Sequence, residues 1–366
     1  MEPLCKHPGV VVGRKGAYRG IHYSSKPFYV IDTAFYVQPR TEIDLKWAYY
    51  ALLTQDINSM DSGSAIPSTS REDFCALPVG VPPLTEQRTI AHILGTLDDK
   101  IELNRRMNET LEAMAQATFK SWFVDFEPVR AKAEGRQPLG VDVATASLFP
   151  NSFENSTDGK IPKGWEVGPI LTRAQLLSGG TPKTDRREYW DGDILWASAK
   201  DVSQCRDTFL VQTERTITDR GLTESATQLV PEFCTVVVAR GATTGRMVLL
   251  GREMAMNQTC YALATTDKTP FFLYCLMRSQ IEQLVHAAHG SVFDTITTTT
   301  FASSGVVLPA ESVVKAFEAR VAPFFFRMLS NVMESLSLAA IRDALLPKLI
   351  SGEIRLPCCG SEIAVP

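Results

Sequence analysis

The chain has 366 residues, 45% of them hydrophobic and 21% charged, which is ordinary for a soluble globular protein of two or three domains. No apolar run is long enough to cross a membrane, and no signal peptide opens the chain. The formal net charge of -4 does not by itself indicate a nucleic-acid binder.

The eight cysteines include no Cys-x-x-Cys pair, and Cys358 and Cys359 are neighbours near the C-terminus. This pattern predicts free thiols in a reducing, cytoplasmic compartment and excludes a disulfide framework or a zinc site. His286 and His289 have no nearby cysteine to complete a metal site, so they are predicted to be ordinary histidines of a loop or a helix end.

The first 40 residues are rich in basic side chains and glycine. Residues 10–12 are predicted to form a strand, and the glycines of residues 13–20 predict a sharp turn. No Gly-Lys-Ser/Thr closes this turn, so it is not a phosphate-binding P-loop. A strand over 28–37 and a short amphipathic helix over 45–57 are predicted to follow.

Residues 82–126 are predicted to form one helix of roughly 60 Å with an apolar seam of coiled-coil spacing. The seam comprises Ile90, Leu94, Leu97, Ile101, Asn104, Asn108, Leu111, Ala115, Thr118 and Trp122. Such a seam needs a partner helix. Asp98 and Asp99 are interpreted as solvated charges.

The partner is predicted in the same chain, 227 positions further on. The apolar pattern recurs there, and Asn104 falls on Asn331, a polar seam position of the kind that fixes register. Pro323 is expected to bend this second helix, and Gly352 to terminate it. Two unrelated amphipathic helices are the alternative.

The sequences before the two helices also repeat. Gly16, Gly20 and Tyr36 match residues 225 positions later, namely Gly241, Gly245 and Tyr261. Phe74 and Pro82 match Phe301 and Pro309, at a spacing of 227. The chain is therefore predicted to contain two copies of a globular module followed by a long helix. The second copy carries further residues from Gly164 onward, so the first is expected to be truncated and to expose strand edges.

The segment between the copies, 127–163, is predicted to be a linker because of its Gly, Pro and polar residues. The second module alternates short β-type runs with Gly and Pro turns, which predicts an irregular module rich in antiparallel strands. Its threonines at 295 and 297–300 are interpreted as a strand with hydroxyls on one face, with a DNA-facing loop as the alternative.

No catalytic motif is present: neither G-x-G-x-x-G, nor a Walker motif, nor G-x-S-x-G, nor an amino-methyltransferase signature. Two modules on a rod suit a target with two separated features, and DNA is an obvious candidate. The basic Gly loop (Arg14, Lys15, Arg19) and its copy (Arg240, Thr243, Thr244, Arg246) are the candidate contacts. A tight hairpin with solvated arginines is the alternative for any one of these residues.

Several motifs together resemble the DNA-specificity (S) subunit of type I restriction–modification systems. They are Leu-Thr-Glu-Gln-Arg at 84–88, the run from Thr118 to Pro128, Ile-Pro-Lys-Gly-Trp at 161–165, Gly-Gly-Thr-Pro at 179–182 with Tyr189-Trp190, and residues 341–354. The resemblance implies two target-recognition domains that each read half of a bipartite site in double-stranded DNA. It also implies that the long helices pack antiparallel and dock methyltransferase (M) subunits, which restriction/motor (R) subunits join.

The resemblance further implies that the chain is not an enzyme and holds no cofactor, since S-adenosylmethionine and ATP bind to the partners. By position in the family pattern, DNA contacts are expected in residues 180–185, 198–200, 240–246 and 291–298. The candidates there are Thr181, Lys183, Lys200, Arg240, Thr243, Thr244, Arg246, Ser291 and Thr297.

The predicted fold is α/β (α+β), with target-recognition modules joined by two long antiparallel coiled-coil helices. The predicted domains are a partial first recognition domain (1–81), a spacer helix (82–126), a linker (127–163), a second recognition domain (164–309), a second spacer helix (310–350) and a tail (351–366). Two other functions remain open: a docking-only partner of the methyltransferase subunits that no longer reads DNA, and a DNA-cleaving or DNA-modifying enzyme.

Overall fold

The computed structural model describes residues 4–16, 18–60, 67–156, 159–289 and 295–355. The chain divides into two compact units: Met1–Leu103 with Glu334–Pro366, and Asn104–Met333. Both long helices contribute residues to both units.

The first unit contains a small antiparallel sheet. Its strands are β1 (Gly9–Gly13), β2 (Ile21–Ser24) and β3 (Ala34–Tyr36), in the order β2-β1-β3. Helix α1 (Leu45–Leu53), capped by the Asp44 side chain, packs on β1 and β2, and α2 (Arg71–Cys75) follows with Ser70 as its cap. Val10 and Val12 point from β1 into a core with Leu52, as alternation along a half-buried strand requires.

The first long helix, α3, spans Leu84–Phe123, and the segment after it has regular structure. It comprises α4 (Glu127–Ala133), α5 (Val143–Ser147) and the hairpin of β4 (Phe153–Ser156) and β5 (Gly159–Pro162). Phe149 is buried edge-to-face against Trp122, and Lys132 Nζ donates to Ala146 O. The linker prediction was wrong because a few well-placed apolar residues order this segment without any periodic pattern.

The second module is built on two mixed sheets and one strand pair. Its strands are β6 (Glu166–Pro169), β7 (Ala174–Ser178), β8 (Trp190–Ala197), β9 (Phe209–Leu210), β10 (Arg215–Ile217), β11 (Leu229–Val230), β12 (Thr235–Val238), β13 (Met247–Leu250), β14 (Met254–Met256), β15 (Cys260–Thr265) and β16 (Gly305–Leu308). Its helices are α6 (Ala199–Gln204), α7 (Asp219–Thr223), α8 (Pro270–His289) and α9 (Thr298–Ser303). The strand orders are β7-β15-β12-β13-β9, β10-β8-β14-β11 and β16-β6. Strand β12 lies at the centre of its sheet and is wholly buried.

The second long helix, α10, spans Glu311–Ile350, and Gly352 follows it with a φ of 75°, the helix-terminating conformation that was predicted. In the second unit α10 runs antiparallel to α3: Phe119 meets Phe317 edge-to-face, and Asn331 Nδ2 donates to Asn108 Oδ1 at 2.8 Å. Asn104 Nδ2 donates to the carbonyl oxygen of Asn331, its counterpart in the repeat. The polar seam residues therefore bond to each other in a buried layer.

In the first unit the same two helices also run antiparallel. Ile90 and Leu94 share a core with Leu349, while Arg342 Nη1 donates to Asp98 Oδ1 at 2.7 Å. Asp98 also accepts from Tyr50 Oη at 2.6 Å. The sequence interpretation of Asp98 as a solvated charge was therefore wrong, because its side chain is largely covered by its two partners.

Helix α10 is long and apolar enough to cross a membrane by length and composition alone, contrary to the sequence prediction. The prediction considered unbroken apolar runs, whereas in α10 small and polar residues separate aromatic and aliphatic ones. Phe317, Phe325 and Met328 of this helix are buried in the protein. A helix in a protein core passes the same test, so this feature is weak support for a membrane span.

The internal repeat is visible in the structure. Strands β1, β2 and β3 correspond to β12, β13 and β15, and α1, α2 and α3 correspond to α8, α9 and α10. A shared hydrogen bond supports the match: Thr69 N donates to Arg14 O, as Ile296 N donates to Ala239 O.

One detail of the sequence match is wrong. The counterpart of Tyr261 is Phe35 rather than Tyr36. Phe35 contacts Phe74 in the first copy just as Tyr261 contacts Phe301 in the second. The second Gly loop has one residue more, which shifts the spacing after it.

Candidate nucleic-acid interface

The loop between β12 and β13 presents two arginines from a buried hairpin. Gly241 and Gly245 have φ of 99° and 88°, which residues with a side chain rarely adopt. Gly245 N donates to Val238 O and closes the loop. Arg240 and Arg246 are exposed, and in the described part of the chain their side chains form no hydrogen bond or ion pair. Both guanidinium groups are thus available to an anionic ligand.

The two threonines of this loop hold it in shape. Thr243 Oγ1 accepts from Ser203 Oγ of α6 at 2.7 Å, and Thr244 Oγ1 donates to Gly241 O at 2.7 Å. The loop and Ile281 of α8 line an open cavity of about 360 Å³. Ser203 is a contributor that sequence reasoning missed, since nothing in its local sequence connects it to residue 243.

The Gly-Gly-Thr-Pro-Lys loop, residues 179–183, is held by two buried tryptophans. Trp196 Nε1 donates to Gly180 O at 3.0 Å, and Trp190 Nε1 donates to Lys183 O at 3.1 Å. A Cβ on Gly180 would lie 2.5 Å from the backbone of Ala226, so the loop passes too close for a side chain there. Lys183 is exposed at the end of this fixed loop.

Thr181 and Lys200 already have partners. Thr181 Oγ1 donates to Gln258 Oε1. Lys200 Nζ lies 2.6 Å from Glu214 Oε2, and this hydrogen bond raises the pKa of Lys200. Glu214 therefore neutralises part of the positive charge predicted for this position.

Thr297 caps a helix rather than lying in a strand. Its hydroxyl accepts from Thr300 N at 3.2 Å, and α9 follows. The strand prediction failed because the β-branched threonines also supply a capping box, which the alternation argument does not consider. Ser291 lies outside the described residues.

The turn at residues 256–259 brings the loops of the second module together. Gly180 N donates to Met256 O, Asn257 N donates to Ala197 O beside α6, and Ala239 N donates to Thr259 O beside the arginine loop. The turn at residues 256–259 therefore borders all three predicted loops, which are residues 179–183, 198–200 and 240–246. Sequence reasoning did not single out this turn.

In the first module Arg19 does not fit the predicted role of a DNA contact. It is 2% exposed, and its guanidinium donates to Asn58 O, Met60 O and Thr69 Oγ1. This arginine satisfies carbonyl groups inside the module. The prediction is corrected because burial removes the side chain from any external ligand.

The other two basic residues of that loop, Lys15 and Arg14, contact side chains of their own module. Lys15 Nζ lies 3.4 Å from Asp32 Oδ2, with both side chains largely exposed. The Arg14 guanidinium lies 5.3 Å from the centre of the Phe35 ring. Compared with the arginines at 240 and 246, these two offer a weaker positive surface.

No group of three or more histidine, cysteine or acidic residues that could hold a metal occurs in the described ranges. The six cysteines there are free thiols, and burial raises the pKa of Cys260 to about 12. Cys358 and Cys359 fall outside those ranges, as do the side-chain surroundings of His289.

Comparisons with known proteins agree with this architecture. A model described as "Type I restriction modification DNA specificity domain" matches residues 10–113 and 162–313, one match for each copy of the repeat. The type I restriction enzyme HindI specificity subunit of Haemophilus influenzae is 29% identical over 89% of this chain and 81% of its own length. The MjaIX specificity subunit of Methanocaldococcus jannaschii is 24% identical over 87% of this chain and 71% of its own length.

The crystal structure of a type I restriction-modification S subunit from M. genitalium has a similar fold. It superposes with a TM-score of 0.57 at 16% identity, covering 95% of this chain and 84% of that one. The fold prediction of two repeated modules with two long antiparallel helices is confirmed. The two matches of the family model together cover most of the chain. The chain therefore belongs to the family of type I restriction modification DNA specificity domains.

Proposed function

We propose that this chain recognises a DNA sequence and directs methyltransferase and restriction subunits of a type I system to it. The observation that carries the proposal is the match of the family model to both modules, together with two exposed arginines on the rigid loop of the second. The related proteins of H. influenzae and M. jannaschii are named as specificity subunits of restriction enzymes.

The chemistry of the second module's loops supports this assignment. Arginine donates two parallel N–H groups to guanine edges or to phosphates. Fixed loops stabilised by Ser203, Trp190 and Trp196 reduce the entropy lost on binding. The overall charge of -4 requires that attraction to DNA be local, or that partner subunits share the phosphate contacts.

We further propose that the chain performs no chemistry itself and acts in the cytoplasm, where the DNA and the partner subunits are. S-adenosylmethionine and ATP would bind to the methyltransferase and restriction subunits. The antiparallel arrangement of α3 and α10 within each unit supports a role for these helices as the docking element.

The test is DNA binding and methylation by the chain co-expressed with its methyltransferase subunit. Sequencing of modified bases gives the recognised site, and Arg240→Ala and Arg246→Ala should each weaken binding to that site about tenfold, the loss expected for one base or phosphate contact. Arg252→Ala is the matched control, because Arg252 is exposed at the far end of β13. A stable complex that methylates no specific site would favour a docking-only protein.

A further inference from the structure

The first module lacks, in the described residues, the strands that flank its counterpart. In the second module β12, β13 and β15 are flanked by β7 and β9, whereas β1, β2 and β3 form a sheet by themselves. Strand β3 therefore has an edge that pairs with no other strand of the described residues. Val37 N donates to Val10 O, and residues alternate along an antiparallel ladder, so the N–H and C=O of Tyr36 face that edge.

In the second module one continuous segment, residues 166–178, contacts β16, the end of α9 and β15. Strand β6 pairs with β16, Ile170 N donates to Ser304 O beside α9, and β7 pairs with β15. Ile170 and Phe301 are both fully buried there. The repeat thus shows what covers this face of the module.

In the first module, no described segment covers the counterparts of these three elements. Tyr36 on β3 corresponds to Ala262, which pairs with Leu177. Residues 78–81 correspond to β16, and their Val81 is 59% exposed. Phe74, the counterpart of the fully buried Phe301, is only half-buried.

The uncovered face also has a groove that is apolar in part. A cavity of about 530 Å³ beside β3 is lined by Leu4, Ile31, Phe35, Tyr36 and Phe74, and also by the polar residues Asp32, Gln38 and Arg71. Ile31 is 63% exposed. An apolar groove beside a free strand edge is the arrangement in which an extended peptide adds a strand.

An acidic residue of the first module lies where the covering segment of the second module binds one with its arginine. In the second module Arg173, between β6 and β7, donates to Asp267 Oδ2 at 2.8 Å. The first turns of α1 and α8 match at a spacing of 225, since Ala48 N donates to Asp44 O as Leu273 N donates to Thr269 O, and at this spacing the counterpart of Asp267 is Glu42. Glu42 is largely exposed and lies 3.7 Å from Arg88. An arginine of a bound segment would find its carboxylate partner there.

We propose that this face of the first module, formed by residues 34–38, Phe74 and residues 77–81, binds an extended polypeptide segment with the chemistry of residues 166–178. The bound segment pairs one strand with residues 78–81, buries an aliphatic side chain near Phe74, and pairs a second strand with β3. A second copy of this chain is a poorer occupant, because its own residues 166–178 are already paired with β15 and β16.

The experiment adds a synthetic peptide of residues 166–178 to the full chain and follows hydrogen exchange and fluorescence anisotropy. Saturable binding should protect amides in 34–38 and 77–81. A Leu177→Pro peptide should bind at least about tenfold more weakly, because proline removes the N–H that bonds at the position of Tyr36.

Two chain variants complete the test. Ile31→Lys places a charge in the groove and should weaken peptide binding by about tenfold. Tyr29→Lys is the control, since Tyr29 is similarly exposed and does not line the cavity, so its binding should be unchanged.

Absence of protection at millimolar peptide would overturn the proposal. So would concentration-dependent protection of the same amides without peptide, which would mean that a second copy of the chain covers the edge. The proposal does not rest on DNA recognition, so its failure leaves the proposed function unaffected.

Discussion

Replacing Asp98 with alanine should destabilise the first unit strongly, because Asp98 joins α1, α3 and α10. Its carboxylate accepts from Tyr50 Oη at 2.6 Å and from Arg342 Nη1 at 2.7 Å. The Asp98 and Arg342 side chains are each 28% exposed, and Tyr50 is fully buried. These contacts are therefore much less screened by solvent than a surface ion pair.

The expected loss of stability follows from the hydrogen bonds of Asp98 with Tyr50 and Arg342. A hydrogen bond to a charged group contributes about 1.5–3 kcal/mol, and the partial exposure of the pair with Arg342 places that bond at the lower end. Asp98→Ala also leaves the Tyr50 hydroxyl buried without its acceptor. We expect a loss of about 3 kcal/mol in the free energy of unfolding. Asp98→Asn keeps an acceptor for Tyr50 and should lose about half as much.

The assay is urea unfolding of the full chain, with Asp99→Ala as the control. Asp99 is the next residue, is 77% exposed and lies 3.5 Å from Lys46 Nζ, so its loss should cost less than about 0.5 kcal/mol. Equal effects of Asp98→Ala and Asp99→Ala, or a loss below about 0.5 kcal/mol for Asp98→Ala, would refute the reasoning.

The pH dependence gives an independent check of the same network. Burial, and then the hydrogen bond to Asp98, raises the pKa of Tyr50 above its ordinary value of 10.0. The folded state therefore retains the phenol proton at pH values where the unfolded state loses it. Stability from this group is fully present below about pH 10 and falls as the pH rises further. Tyr50→Phe should make the alkaline decline of stability shallower.

The remaining predictions concern two loops. Arg19→Ala should lower the free energy of unfolding by about 2–3 kcal/mol, because it leaves the buried Thr69 hydroxyl and the partly covered carbonyl oxygens of Asn58 and Met60 without their donor. Urea unfolding measures this, and a loss below about 0.5 kcal/mol would mean that the side chain is not buried as described. Gly180→Ala should weaken specific DNA binding by distorting the loop at 179–183, since its Cβ meets the Ala226 backbone. Gly80→Ala, at a site with no atom within 4 Å and without a positive φ, should not, and equal affinity of both variants would contradict the role of this loop.

The helices and the repeat were predictable because they depend on spacing. An apolar seam that recurs every three or four residues along a helix of 40 residues is typical of a helix paired with another helix. The match of Asn104 to Asn331 placed a polar residue in the seam of each helix, and in the structure the two are hydrogen-bonded. The ordered segment after α3 was not predictable, because it depends on contacts such as Trp122 with Phe149 that leave no periodic pattern.

The candidate site was predictable only as a set of loops. The motifs identified residues 179–183 and 240–246, but the turn at 256–259 that lies between them has no sequence signature. Thr297 illustrates a competition between local rules: β-branched threonines favour strands, yet a threonine three residues before another can cap a helix, and here the cap prevailed.

The two Gly loops show why basic composition is a poor guide to a basic surface. Both loops have the hydrogen bond from a later segment, Thr69 N to Arg14 O and Ile296 N to Ala239 O. In the first module the hydroxyl of Thr69 binds the buried Arg19, whereas in the second the apolar Ile296 is itself fully buried. One module thus uses an arginine to satisfy its own interior, and the other keeps Arg240 and Arg246 outside. The asymmetry favours the second module as the DNA reader, and it leaves the free edge of β3 as the more distinctive surface of the first.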